Sequence, residues 1–566
     1  MKIHSRALFI LAIFLLGVQI VVAQSKAEDN RKAHDLVYSN PDKISFWIRD
    51  VITKMADGHS LKIEGETVYS DSVLPEFYKN RDYRPAWGNY QTLMDAVDAL
   101  HDAWQDGLLP NDYHADAIRK LVEMIRDRPA GQEIDYAWVA GFDILMTDAV
   151  LLYAYHLMAG KVDPESLDPH WNYSFRGFKE DAPNKLEQAI ANGTVADALH
   201  NLRPDMKLYR QLMDLLEEYQ PLALNGGWKK IADAQVLKPG EDDKRVPLIR
   251  ERLQKTGELT DTGKMESTVY DDVLMNDVKA FQQKNALTAD GVIGKTTFQA
   301  LNESVEDRIS KLRVNLERLR WVVSDLTDRY IIVNIPAFKA YYIEDRAIRF
   351  TTNVQVGRTY TKTPVFKSRL NYIEFNPTWT VPYSILKSSV IPHIKSDPTY
   401  LERNNFELID QSGNLVPINS IDRSQVRVGN FPYTVRQKPG KGNSLGEVKF
   451  IFPNKYAIFL HDTPSKSLFE KQDRAFSHGC IRTQNPLDLA AILLEGSEWN
   501  RQKIDSVIET RKTQRVFPEK EIDVLLLYLT AGYYEGNGVG FFNDIYSRDA
   551  KVLAELNAAQ KAVKRK

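Results

Sequence analysis

Two short segments carry residue types able to cleave and remake an amide: Leu460-His461-Asp462-Thr463 and Ser477-His478-Gly479-Cys480-Ile481-Arg482. Such chemistry needs a nucleophile, a base that later serves as acid, and donors for a tetrahedral oxyanion. Cys480, the only cysteine in the chain, can supply the nucleophile. A free thiol is only slightly ionised at neutral pH, so an adjacent imidazole is needed to hold it as thiolate. His461 ends an apolar, strand-like run, where it is held rigidly and can point across to Cys480. Gly479 lets the backbone turn sharply and aim nearby amides at a developing oxyanion, with Ser477 and His478 shaping the same turn. Arg482 reads either as a carboxylate-binding group or as a structural partner. Asp462 follows the base and is a candidate to orient it or to contact substrate. Trp379 is kept as a substrate-contact candidate, although an aromatic at such a place, like Tyr341, is more often a packing residue. A zinc site built from His461, His478 and Cys480 lacks a recognisable fourth ligand, so neither a metal nor another cofactor is expected.

The elements that would position these residues are β-rich. Tyr330 to Ile335, Ala340 to Glu344, Arg349 to Val354, Asn371 to Phe375, Val448 to Phe452, Tyr456 to Leu460 and Val524 to Thr530 read as strands. A polar, proline-dotted segment at 384–436 looks inserted among them. Asn485-Pro486 opens a helix with a capping residue and a proline at its first position. Upstream the pattern is helical. Leu93, Met94, Val97, Leu100 and Trp104 recur at helical spacing, as do Leu208, Leu212, Leu215 and Tyr219, and Asp148 to Met158 forms another apolar-rich helix. From Val246 a compact unit follows. One helix carries Ile249 and Leu253, a second Phe281 and Gln282, and the turn Asp290-Gly291-Val292-Ile293-Gly294 leads to a short third with Phe298 and Leu301.

At 566 residues the chain is too long for one core. Its 43% hydrophobic and 27% charged residues are ordinary for a globular protein, and a net charge of −2 demands no nucleic-acid or lipid partner. Lys2 and Arg6, the apolar run Ala7 to Val22 and the small residues before Gln24 read as an export signal, with an uncleaved signal anchor as the alternative. No later run approaches eighteen apolar residues, so no further membrane span is expected. An exported chain with one cysteine forms no internal disulfide.

The two segments resemble the signature of YkuD-type L,D-transpeptidases: a histidine followed about sixteen residues later by [S/T]-H-G-C-apolar-[R/N]. Ser477 stands sixteen positions after His461, and every fixed position matches. Val356-Gly357-Arg358, Thr363-Pro364, Asn376-Pro377 and Val381-Pro382 agree with that catalytic domain. The unit at 246–302 resembles a three-helix peptidoglycan-binding module. Leu74-Pro75, Pro85-Ala86-Trp87, Gly160-Lys161-Val162-Asp163-Pro164 and Asp544-Ile545-Tyr546 resemble the large scaffold-bearing enzymes of Gram-negative bacteria. The resemblance implies a multidomain α+β protein. Its parts would be a signal peptide (1–23), a helical scaffold (24–225), the small module (226–303), a helical linker (304–328), a mainly-β catalytic domain (329–550) with a capping lid at 384–436, and a basic tail (551–566).

It also implies a periplasmic enzyme. Cys480, held as thiolate by His461, would attack a tetrapeptide stem and release D-Ala, and an amine from a second stem would then resolve the thioester into a 3→3 cross-link. The amides of Gly479 and Cys480 are the implied oxyanion donors, and carbapenems the implied acylating drugs. Stem peptides are the implied partners, with glycan strands a further partner for the module. Hydrolysis by the same pair, attachment of an envelope protein to peptidoglycan, and a non-enzymatic wall-binding role remain alternatives.

Overall fold

The computed structural model describes residues 28–56, 61–129, 131–167, 171–172, 181–233, 235–322, 326–534 and 538–560. The expected signal peptide lies outside them, as do the last six residues of the expected tail.

The helical N-terminal region is built around α1 (Tyr136–Ala159), whose N-cap Asp135 accepts the N–H groups of Ala137 and Trp138. By length and composition α1 could cross a membrane, which corrects the expectation that no later segment comes near that limit. Yet 78% of its most apolar stretch is buried inside the protein. A helix apolar on every side belongs in a core or a bilayer, and here the polar residues on α1 are already paired. Asp143 accepts from the amides of Ala86 and Trp87 and the hydroxyls of Tyr38 and Tyr78, and Asp148 accepts from the amides of Tyr69 and Ser70 and sits on His114.

A long helix, α2 (Val305–Val322), leads from the small module into the β region. There the main strands are β1 (Arg329–Asn334), β2 (Lys339–Glu344), β3 (Ala347–Gly357), β4 (Val365–Arg369), β5 (Tyr372–Phe375), β6 (Val448–Ile451), β7 (Leu460–His461), β8 (Ala475–Ser477), β9 (Ile481–Thr483), β10 (Gln514–Val516) and β11 (Asp523–Leu527). They form one sheet in the order β10-β5-β6-β7-β9-β3-β2-β1-β11-β4, and β8 pairs with β3. Beyond β4 the sheet is completed by Trp171–Asn172 from the helical region, in parallel pairing with Val365 and Phe366.

Burial separates three cores. One runs unbroken from Trp87 and Leu145 through Leu316 on α2 to Val333 and Leu526 in the sheet. The module has its own, around Ile249, Leu274, Phe281 and Phe298. The insert between β5 and β6 has a third, around Val390, Ile394, Leu408 and Val435.

Two expected boundaries shift. The insert is rooted at Trp379–Thr380, which pairs with Arg436 and Gln437 of the strand Thr434–Gln437, ahead of the expected start at 384. A two-residue strand between prolines shows no readable alternation. The tail beginning at 551 is instead part of a helix, α3 (Asp549–Leu556), which buries Val552 and Leu556 and joins α2 through Arg318 and Asp549 at 2.6 Å.

Candidate active site

The middle strands alternate charged or polar residues with apolar ones, and their register lines these up. Arg515, Glu374, Lys449, His461, Arg482 and Gln355 pair directly across six neighbouring strands, from β10 through β5, β6, β7 and β9 to β3. One position along, Val516, Ile373, Phe450, Leu460 and Ile481 form a row that is buried throughout. Paired residues project from the same side of a sheet and successive residues from opposite sides. One face therefore packs into the core while the other carries a polar rung. Cys480 immediately precedes Ile481 and so returns to the polar face, diagonal to His461 on the adjacent strand.

The turn holding Cys480 is fixed by hydrogen bonds from several elements. Ser477 donates its hydroxyl to the Cys480 carbonyl at 2.6 Å and accepts the Gly479 N–H at 3.0 Å. Thr361 donates to the Ser477 carbonyl at 3.0 Å, and Thr363 to the Gly479 carbonyl at 2.8 Å. Tyr546 locks this support in place: its hydroxyl donates to the Gly357 carbonyl at 2.5 Å and accepts the Thr363 N–H at 3.2 Å. Two glycines permit the close approach. Gly479 has φ near +122°, and a Cβ on Gly357 would lie 2.0 Å from the Thr361 carbonyl oxygen.

His461 is 4% exposed, and its Nδ1 donates to the Asp462 backbone carbonyl at 2.5 Å. The proton must sit on Nδ1, because a carbonyl can only accept, and Nε2 is left as the basic nitrogen. Burial pushes the imidazole down to about 3, helped by the positive charges of Arg482 and Lys449 and opposed by the Asp462 carbonyl. Burial also raises the Cys480 thiol above its ordinary value, against the lowering influence of the Phe459 amide, Lys449 and Arg482. Burial thus opposes charge on both groups, on the imidazole and on the thiol alike. Among the described residues no hydrogen bond joins the two; the S–H faces the Ala457 carbonyl, with Sγ to oxygen 3.8 Å.

The remaining sequence candidates divide. Arg482 lies on the rung beside His461, with one guanidinium nitrogen on the Gln355 side-chain oxygen at 3.2 Å. His478 is exposed next to the thiol, its imidazole lowered first by burial, then by Arg358 and Arg482. Asp462 does not orient the base with its carboxylate, which accepts the Glu447 N–H at 3.0 Å and pairs with Lys466. Trp379 is placed in the insert, where its ring packs on Phe406 at 6.3 Å. The Gly479 amide, expected to face an oxyanion, is already committed to Ser477, which leaves the Cys480 N–H as the donor of that pair without a partner among the described residues. Sequence reasoning missed Lys449 and Glu374, each a lone charge inside an apolar strand, and the supporting roles of Thr361, Thr363 and Tyr546.

Comparison with known proteins agrees with this architecture. Family models match residues 72–216 as "Scaffold domain", 242–301 as "Putative peptidoglycan binding domain" and 328–506 as the YkuD "L,D-transpeptidase catalytic domain". A "Putative L,D-transpeptidase" of Haemophilus influenzae is 35% identical over 293 residues, covering 51% of this chain and 58% of that protein. A "Probable CtpA-like serine protease" of Staphylococcus aureus is 35% identical over 89 residues, 16% of this chain and 17% of its own. A crystal structure of an L,D-transpeptidase from Xylanimonas cellulosilytica is matched at 13% identity with a TM-score of 0.18, over 52% of this chain and 99% of that one, a score too low to bear on the fold. The chain carries a YkuD-type L,D-transpeptidase catalytic domain, joined to a peptidoglycan-binding domain and a helical scaffold.

Proposed function

We propose that the protein is an exported L,D-transpeptidase that forms 3→3 cross-links in peptidoglycan outside the cytoplasmic membrane, through Cys480 as nucleophile and His461 as base. The observation that supports this best is the shared polar face: a histidine with Nε2 left basic and a cysteine on a braced turn stand as diagonal neighbours on adjacent strands. In this reading the thiol proton passes to Nε2, and sulfur then attacks the carbonyl of the L-centre of diaminopimelate in a tetrapeptide stem. The tetrahedral oxyanion draws on the Cys480 amide. The bond to D-Ala breaks, and the departing amine takes the proton from His461. A side-chain amine of a second stem then attacks the thioester, gives up a proton to His461, and leaves a new amide and a regenerated thiol. The insert, with a core of its own, suits a cap that keeps competing water from the thioester. The small module suits retention on the wall.

The test is mass spectrometry of muropeptides from cells expressing the wild type or Cys480→Ala. The expected result is 3→3 dimers with the wild type and none with the variant. Equal amounts from both would overturn the proposal. Tripeptide without dimer would replace transfer with hydrolysis.

A further inference from the structure

Two cations on the polar rung have no anion among the described residues: Arg482, which rests on the neutral Gln355 amide, and Lys449, which makes no hydrogen bond at all. Lys449 stands between Glu374 and His461 in the register. Glu374 is 6% exposed and held by Arg515 at 2.8 Å, so its charge is already answered from the next strand. Among the described residues Lys449 Nζ makes no hydrogen bond and no ion pair. It rests 4.3 Å above the Phe459 ring, the residue between β6 and Cys480 on the same face, and that ring in turn packs on His461 at 5.5 Å. An aromatic face stabilises a half-buried ammonium only partly, and a desolvated cation without a full counter-ion favours any anion that arises beside it.

The anion that can arise on the same face, one strand further on and opposite Phe459, is the sulfur. His461 has no carboxylate behind it, because the Asp462 side chain is turned to Lys466, so the imidazole is poorly suited to carry the positive charge of a resting ion pair. Arg482 follows Cys480 on the same strand, but its guanidinium is turned along the rung to the Gln355 side chain.

We propose that Lys449 is a positioning residue for the thiolate: its ammonium, fixed by the rung and by Phe459, supplies the positive charge against which Cys480 ionises before acylation. This rests on the reading of Cys480 as nucleophile. The S–H proton goes to His461, and the charge left on sulfur is balanced by a lysine that stays protonated throughout. Lys449 faces Glu374 on β5, with Arg515 behind it on β10, His461 on β7, and Arg482 and Cys480 on β9 and the turn before it. Its own affinity for a proton is lowered by burial and raised by Glu374, and both Cys480 and His461 are lowered by its charge.

That last point gives the experiment a signature. Since Cys480 is the only thiol in the chain, alkylation by iodoacetamide across pH reads its ionisation directly, in the full chain and without substrate. Removing the charge with Lys449→Met is expected to move the thiol titration up by about one unit, so alkylation at neutral pH slows about tenfold. Lys449→Arg keeps the charge and is expected to stay near wild type. If the methionine variant acted only by opening the site to water, the thiol would titrate lower, because burial is what raises it; a titration at or below wild type overturns the proposal. So does an unchanged titration with a raised KM for donor stems, which would assign the ammonium to a substrate carboxylate. Should Lys449→Met lose its native circular dichroism, Lys449→Gln gives the same reading. A wild type that made no cross-linked product would refute the transpeptidase reading while leaving this titration intact.

Discussion

The helical scaffold and the insert over the sheet are both additions to the catalytic domain, and they are attached in opposite ways. The insert leaves and rejoins the sheet through one narrow neck, Trp379–Thr380 against Arg436 and Gln437, and keeps its apolar residues to itself. The scaffold has no separate core: it shares one with α2 and the sheet and donates a strand to the sheet edge. Its joint with α2 is also polar and buried. Glu317 pairs with Arg320 at 2.6 Å, accepts the Trp321 indole N–H at 3.0 Å and accepts the Val162 amide at 2.7 Å, while Arg320 reaches the Asp106 carbonyl at 2.8 Å. A part with its own core can open or shift while the rest stays folded. A part that shares a core is a condition of the whole.

Breaking the shared joint should therefore have the largest effect. Glu317→Ala strands the buried Arg320 guanidinium and the Val162 amide, and is expected to cost about 4 kcal/mol. Calorimetry of the full chain should show the main transition, scaffold and catalytic domain together, moving down as a unit. If only the helical region melted early, the single-core description would fail. A smaller effect, confined to one unit, is expected from Leu408→Ala in the insert and Leu274→Ala in the module. Each empties a fully buried site at about 3 kcal/mol, and each should expose its own unit to limited proteolysis without moving the main transition.

The smallest effect separates the two regions by pH. In the scaffold His114 is clamped between Asp148 and Glu66, both at 3.0 Å. Burial lowers its proton affinity, but the two carboxylates outweigh that and raise it above the ordinary value. A base with a raised folded-state pKa adds stability that is complete below its unfolded value near 6.5 and fades as pH climbs through the folded one. The His114 contribution is thus largest at weakly acidic pH, and His114→Gln is expected to lower the main transition more there than at weakly alkaline pH. The insert's transition, which lacks such a clamp among its described residues, should not follow.

Much of this was legible in the residues alone. The spacing of His461 and Cys480 pointed to the candidate site, and helical periodicity separated the N-terminal region from the β region. What stayed hidden depended on register. Lys449 reads in sequence as one charge in an otherwise apolar strand, and only pairing to a strand beyond the insert shows that Glu374, His461 and Arg482 stand in line with it. The Gly479 amide looked available because a serine two residues earlier gives no hint that its hydroxyl will fold back onto the turn. In α1 the apolar stretch is broken by Asp143, Asp148 and His156, so a count of consecutive apolar residues undervalued a helix whose polar groups are satisfied by loops far away in the chain.

The strand Trp171–Asn172 has a consequence for the order of assembly. An open sheet presents unpaired amides and carbonyls at its margin, a surface on which other chains can dock and aggregate. Here that margin is covered by a piece of chain that leaves the ribosome almost two hundred residues before the strand it covers, β4. The guard is made before the edge it protects, so a polypeptide threaded outward from its N-terminus never needs to wait for its own protection.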